Sequence, residues 1–201
     1  MVQAINAALR RLPVPAVYLL AAVPGAWLVA LAFTGGLGVD PVKRLERELG
    51  LLALQFLILG LAVTPLRRLA GISLLRFRRA LGLSAFGYVL LHVAVWLALD
   101  MQFLWSQIAT DLVRRPYITI GMAALALLVP LALTSTDRAL RRMGAAAWAR
   151  MHRLVYPATV TGGLHFVMVV KAWPLEPFLY LAAILALLAL RLRRRPALAR
   201  G

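Results

Sequence analysis

Three histidines, His92, His152 and His165, are the chain's entire histidine supply. All stand in apolar surroundings: His92 in LSAFGYVLLHVAVWLALDM, the other two in ARMHRLVYPATVTGGLHFVMVV. An ionisable side chain in such a run marks either a functional site or an interhelical hydrogen bond. Neutral imidazole is a good axial ligand for haem iron, and two imidazoles on facing helices can hold a haem between them. Zinc fits less well, since it asks for about three or four ligands and the sequence places no acid at the depth of His92 and His165. The chain has no cysteine, which removes disulfides, iron–sulfur clusters, thiolate zinc sites and covalent c-type haem attachment.

The elements that must position these histidines are membrane helices. Of the 201 residues, 63% are hydrophobic and the mean hydropathy is +0.84, against about 45–50% apolar residues in soluble domains. A helix needs roughly 20 apolar residues to cross a bilayer. Six runs qualify, at about 14–33, 49–66, 78–99, 117–134, 148–171 and 177–192. The expected fold is an all-α six-helix transmembrane bundle forming one domain over 1–201. Pro24, Pro130 and Pro157 fall inside spans and are expected to kink them. Five further spans follow the first, which also lacks a small-residue cleavage site, so it is expected to stay as a span and not act as a signal peptide.

Charge orients the bundle. Arg10 and Arg11, Arg67 to Arg79, Arg138 to Arg153, and Arg191 to Arg200 put seventeen of the 23 basic residues on one side. Lys43, Arg44, Arg47, Arg114, Arg115 and Lys171 share the other with six of the seven acids. The positive-inside rule then predicts cytoplasmic N- and C-termini. The net charge of +16 is a topology signal, not a nucleic-acid footprint, which would gather on one soluble face. The basic tail LRLRRRPALARG suits anionic headgroups.

Topology also relates the histidines. Spans 3 and 5 run parallel, so His92 and His165 come to similar depth in the outer half of the membrane. His152 lies thirteen residues before His165, roughly 20 Å along a helix axis, at the cytoplasmic edge. Thirteen residues miss a common helix face by about 140°, which a kink or π-bulge between Pro157 and Gly163 would correct. Fourteen residues before His92 stands Arg78, within about 40° of the same face. Arg78 could anchor a haem propionate or occupy the face of a second haem; it is also explained as one more positive-inside arginine. Gly162 and Gly163 before His165, and Gly82, Ala85 and Gly87 before His92, could clear room for a porphyrin, although small residues are common in membrane helix packing.

GYVLLH together with RPYITIGMAALALLVPLALTSTDRALRRMGAAAWARMHRLVYPATVTGGLHF resembles the ferric-reductase-like transmembrane family. Within it, the chain resembles the haem-binding membrane subunits of bacterial periplasmic methionine sulfoxide reductase systems. The resemblance covers most of the chain, and TSTDRALRRMGAAAWARMHRLVY is its most specific part. It implies a haem b protein of the bacterial inner membrane that relays electrons to a periplasmic molybdopterin methionine sulfoxide reductase, a protein-repair enzyme. It makes His92, His152 and His165 the haem-associated, iron-binding positions. FMN also goes with the family, but no residue here stands out as its site. Where the wider group often carries a fourth histidine, this chain has Arg78, so one haem is expected between His92 and His165, and a second haem would lack a bis-histidine pair.

The sequence has no Gly-rich dinucleotide fingerprint, so hydride from a nicotinamide is not expected to enter this chain directly. A cytoplasmic flavin reductase or a quinone is the expected donor. The chain is expected to be an electron-transfer subunit, not the catalytic one. Asp137 could cap a short basic helix ended by Gly144, as a docking surface or an ordinary interfacial loop. DMQFLWSQIATDLVRRP, on the outer side, could meet the periplasmic partner, although the aromatic belt equally explains Trp105. Two competing readings are a histidine-relay proton or ion transporter, which should carry intramembrane acids, and a membrane hydrolase, for which no HExxH or GxSxG occurs.

Overall fold

The computed structural model describes residues 1–170 and 172–192. It is helical, with no strand among the described residues: α1 Val2–Arg11, α2 Val14–Phe33, α3 Pro41–Ala70, α4 Arg78–Val95 with a π turn at Trp96–Asp100, α5 Trp105–Arg114, α6 Pro116–Leu133, α7 Asp137–Met143, α8 Ala145–Met151, α9 Val155–Val169 and α10 Leu175–Leu192. Among the described residues four segments are long and apolar enough to cross a membrane: Val14–Phe33, Pro41–Ala70, Leu75–Asp100 and Pro116–Leu133. Lys171 and the tail arginines Arg193, Arg194, Arg195 and Arg200, which the sequence reading placed on opposite sides, lie outside the described residues.

Span 5 differs most from expectation. Instead of one helix over 148–171, the chain forms α8, a 3₁₀ turn at His152–Leu154, and α9. Proline explains the break. Pro157 has no N–H for the carbonyl of Arg153, so one rung of the α ladder is missing where the 3₁₀ turn stands. Pro157 itself falls in the first turn of α9, where no intrahelical donor is needed. The interruption therefore precedes Pro157 and is not spread over 157–163. The π turn occurs elsewhere, at the outer end of α4.

Side chains of neighbouring helices also enter the ladders of α2 and α3 beside their prolines. At Pro24–Gly25, the Tyr88 hydroxyl enters the ladder of α2. It accepts from Gly25 N at 3.0 Å and donates to Ala21 O at 2.5 Å. A Cβ on residue 25 would lie 2.8 Å from the Tyr88 ring, so only glycine admits this ring. In α3, Pro65 cannot donate to Leu61 O. Arg191 of α10 supplies the missing donors, with Nε at 2.9 Å and Nη2 at 2.5 Å from that oxygen.

One end of the bundle gathers the arginine-rich segments. Arg76 donates to Arg10 O at 2.6 Å, Arg68 to Arg191 O at 3.3 Å, and Arg79 pairs with Asp137 at 2.5 Å. At the opposite end Lys43 pairs with Asp100 at 2.5 Å and Arg47 with Glu176 at 3.1 Å. Two amphipathic helices appear where the sequence was read as tail or loop, α1 and α5, and the short basic helix expected before Gly144 is α7. The N-cap of α7 is Thr136, whose side chain accepts from Ala139 N. Asp137 does not cap; it is the first residue of the helix and pairs outward with Arg79. Gly144 ends α7 with φ 77°, a backbone that favours glycine.

Candidate redox site between α4 and α9

His92 and His165 come together. Their ring centroids are 6.2 Å apart and their planes meet at 77°. Each ring is oriented from behind by a third helix. His92 Nδ1 lies 2.8 Å from Glu46 O in α3, and His165 Nδ1 lies 2.7 Å from Tyr117 O in α6. A carbonyl only accepts, so in each case Nδ1–H donates and the neutral ring carries its free lone pair on Nε2. This is the arrangement that prepares imidazole as a ligand, because the outer hydrogen bond fixes both tautomer and ring orientation.

The spacing fits a metal held between the rings. At about 2 Å per metal–nitrogen bond, two opposed imidazoles have centroids roughly 6 Å apart. The donor set, two neutral imidazoles, suits iron. No group of three or more His, Cys, Asp or Glu that could hold a metal ion occurs among the described residues.

The small residues near the histidines divide between packing against neighbouring helices and leaving open space as expected. Ala85 and Ala158 are fully buried and belong to one core cluster with Leu57, Leu128 and Leu131. Each lies seven residues before its histidine and hence within about 20° of its face. Gly163 packs against α10: a Cβ there would meet Ile184 at 2.9 Å. A Cβ on Gly162 would only touch Leu54, at 3.7 Å. Gly82 and Gly87 face open space, with nothing within 4 Å of an added Cβ. The glycines that do touch the histidines, Gly50 and Gly121, were missed. Their signal was present in the sequence only as two isolated glycines on other helices.

An acid also stands closer than expected. Because α3 starts at Pro41, Glu46 is inside the helix and not in an outer loop. Its backbone oxygen meets His92, while its Oε2 is buried with no hydrogen-bond partner and lies 3.7 Å from Lys43 Nζ.

His152 is held apart from the pair. It stacks on Trp148 at 3.7 Å between centroids, and its Nε2 lies 3.2 Å from Thr134 Oγ1. The Thr134 hydroxyl donates to Pro130 O at 2.6 Å, so its oxygen accepts from His152 Nε2–H. The free nitrogen of His152 is then Nδ1, the reverse of the other two histidines. His152 and Arg78 do line one cavity of about 520 Å³, together with Phe56, Phe86, Tyr156 and Arg191. Arg78 is hydrogen-bonded to the Thr64 hydroxyl. With Thr64, Arg67 and Arg68 it also lines a second cavity of about 240 Å³. Leu57, Leu128 and Leu131 both line the larger cavity and belong to the cluster of Ala85 and Ala158.

Residues 48–163 match the family described as ferric reductase like transmembrane component. That match spans His92 and His152 and stops two residues before His165. The chain is also 55% identical over 172 residues to the protein-methionine-sulfoxide reductase heme-binding subunit MsrQ of Brucella ovis, covering 86% of this chain and 78% of the relative. The MsrQ proteins of Brucella canis and Brucella abortus align with the same identity and coverage.

Proposed function

The chain belongs to the ferric-reductase-like transmembrane family, among proteins similar to the MsrQ subunits, and from that premise we propose that it is the haem b electron-transfer subunit of a methionine sulfoxide reductase system. The observation that carries this reading is the pair His92–His165, with rings 6.2 Å apart and each Nδ1 committed to a helix carbonyl.

In this reading α9 and α10 complete a six-helix bundle in the bacterial inner membrane. The arginine-rich end and both termini face the cytoplasm, as the positive-inside rule requires. A haem b between the histidines supplies a one-electron iron couple. His92 and His165 would hold the haem iron through Nε2, and ligation by two imidazoles would suit electron transfer over oxygen chemistry. The helix carbonyls of Glu46 and Tyr117 keep the two rings in their ligating tautomer. Arg78, with its guanidinium at the larger cavity, would balance an anionic group such as a propionate. His152, Trp148 and Tyr156 give that cavity the aromatic walls of a second flat cofactor, a second haem or the family's FMN. Electrons enter from a cytoplasmic flavin reductase or a quinone. They leave to a periplasmic molybdopterin methionine sulfoxide reductase subunit, so this chain carries electrons and does not itself reduce the sulfoxide.

The test is the visible spectrum of the purified protein in detergent, before and after dithionite. Sharp α and β bands growing on reduction, with a low-spin Soret band, are the expected result. Pyridine haemochrome per chain then counts the haems. A protein that stays colourless after haem reconstitution would overturn the reading and favour a histidine-relay proton or ion transporter.

A further inference from the structure

The backs of the two imidazoles share one construction. Glu46 O accepts from His92, and the residue four positions on is Gly50. Tyr117 O accepts from His165, and the residue four positions on is Gly121. In an α-helix the carbonyl of residue i points along the axis toward the N–H of residue i+4. A side chain on residue i+4 therefore stands beside that carbonyl and screens it from an approaching ring. Here the screen is missing. A Cβ on residue 50 would lie 3.0 Å from His92 Nδ1, and one on residue 121 would lie 2.9 Å from His165 Nδ1. Either contact is tight enough that the ring must give way by a few tenths of an ångström or more, and both fall on the atom that makes the hydrogen bond.

We propose that Gly50 and Gly121 are the positioning residues of the histidine pair: by leaving a helix carbonyl uncovered, each fixes the Nδ1–H donor of one imidazole and so sets its ligand strength. The inference rests on the haem reading above and extends it to two residues on helices that carry no ligand. An imidazole that donates Nδ1–H to a strong acceptor is a more electron-rich ligand through Nε2 and favours the oxidised metal. A methyl at either glycine pushes the ring off its carbonyl, weakens that donation and raises the reduction potential.

A third instance of the construction serves as the comparator. Ala21 O, Gly25 and the Tyr88 ring have the same i, i+4 relationship, with an added Cβ only 2.8 Å from the ring, but Tyr88 ligates nothing. Gly25→Ala is thus a packing lesion of similar severity without an imidazole.

The experiment compares Gly50→Ala, Gly121→Ala and Gly25→Ala with the wild-type holoprotein in detergent, reading haem per chain, midpoint potential and the low-spin electron paramagnetic resonance signal. Gly50→Ala and Gly121→Ala are expected to raise the potential and shift the low-spin signal, with haem partly lost. Gly25→Ala is expected to lower the melting temperature while its retained haem keeps wild-type values. Wild-type potential and signal in both imidazole-facing variants, or the same change in all three, would overturn the inference. Should those variants hold no haem at all, ¹⁵N-histidine NMR of the reduced wild-type protein decides: two hydrogen-bonded Nδ1–H groups on ligated imidazoles support it, and a ligated imidazole without one overturns it. A wild-type protein that binds no haem fails the parent reading instead, which keeps the two failures distinct.

Discussion

Ala85 and Ala158, seven residues before His92 and His165 respectively, are both fully buried in one core cluster, three of whose leucines, Leu57, Leu128 and Leu131, also line the larger cavity. Replacing either with leucine inserts bulk into a site that has no room for it. Such overpacking costs typically about 1–3 kcal/mol. The expected outcome for Ala85→Leu or Ala158→Leu is a lower melting temperature in detergent together with reduced haem per chain, because the rings are spread from their 6.2 Å spacing. Full haem content in both variants would show that this layer does not set the ligand distance.

His92→Ala and His165→Ala are each expected to abolish haem binding at the pair, because one imidazole cannot saturate a low-spin iron alone. Absorbance at the Soret band relative to protein gives the answer directly. Retention of the full haem complement by either variant would remove that residue from the ligand set.

The reversed hydrogen bonding of His152 makes a different expectation. Its Nε2 faces Thr134 and its ring lies on Trp148, so His152→Ala should leave the low-spin spectrum of the His92–His165 pair unchanged. Any haem lost should come from the larger cavity and appear as a change in stoichiometry without a change in the remaining spectrum. Loss of the low-spin signature itself would place His152 among the ligands of the pair.

Arg191 answers a defect made by Pro65, and the two should couple. Removing the guanidinium leaves Leu61 O without its donor, and an unsatisfied buried acceptor costs about 1–3 kcal/mol. Arg191→Ala should therefore lower stability and loosen α10 from α3. In a Pro65→Ala background, where residue 65 regains its N–H, the same change should cost less. Melting temperatures of the four proteins close a double-mutant cycle. Equal losses in both backgrounds would separate the arginine from the proline.

The Arg79–Asp137 pair ties α4 to α7 at the arginine-rich end. The guanidinium beside it holds the Asp137 carboxyl below the ordinary carboxylate value. A depressed carboxyl contributes its stabilisation above its unfolded value and loses it as pH falls through the lower folded value. Across pH 5 to 8, about the working range, the pair is therefore constant, and salt, not pH, should weaken it. Asp137→Asn is expected to shift the melting temperature slightly at low salt and not at all at high salt, as an exposed pair should.

The sequence by itself determined the helical class, the segregation of charge and the matched depth of His92 and His165. Each of these depends on composition or on counting residues along a helix, and both survive without knowledge of neighbours. Span 1 was legible to the residue as Val14–Phe33, because an unbroken apolar run flanked by Pro13 and Thr34 has sharp ends. Span 5 was not, because its break depends on which carbonyl Pro157 leaves without a donor. The tertiary structure alone decided what stands behind each imidazole. Gly50 and Gly121 sit on helices remote in sequence from the histidines they admit, and no periodicity in α3 or α6 singles them out. Likewise the duty of Ala85, Gly163 and Arg191 follows from the helix each one faces, which is a property of packing and not of the local chain.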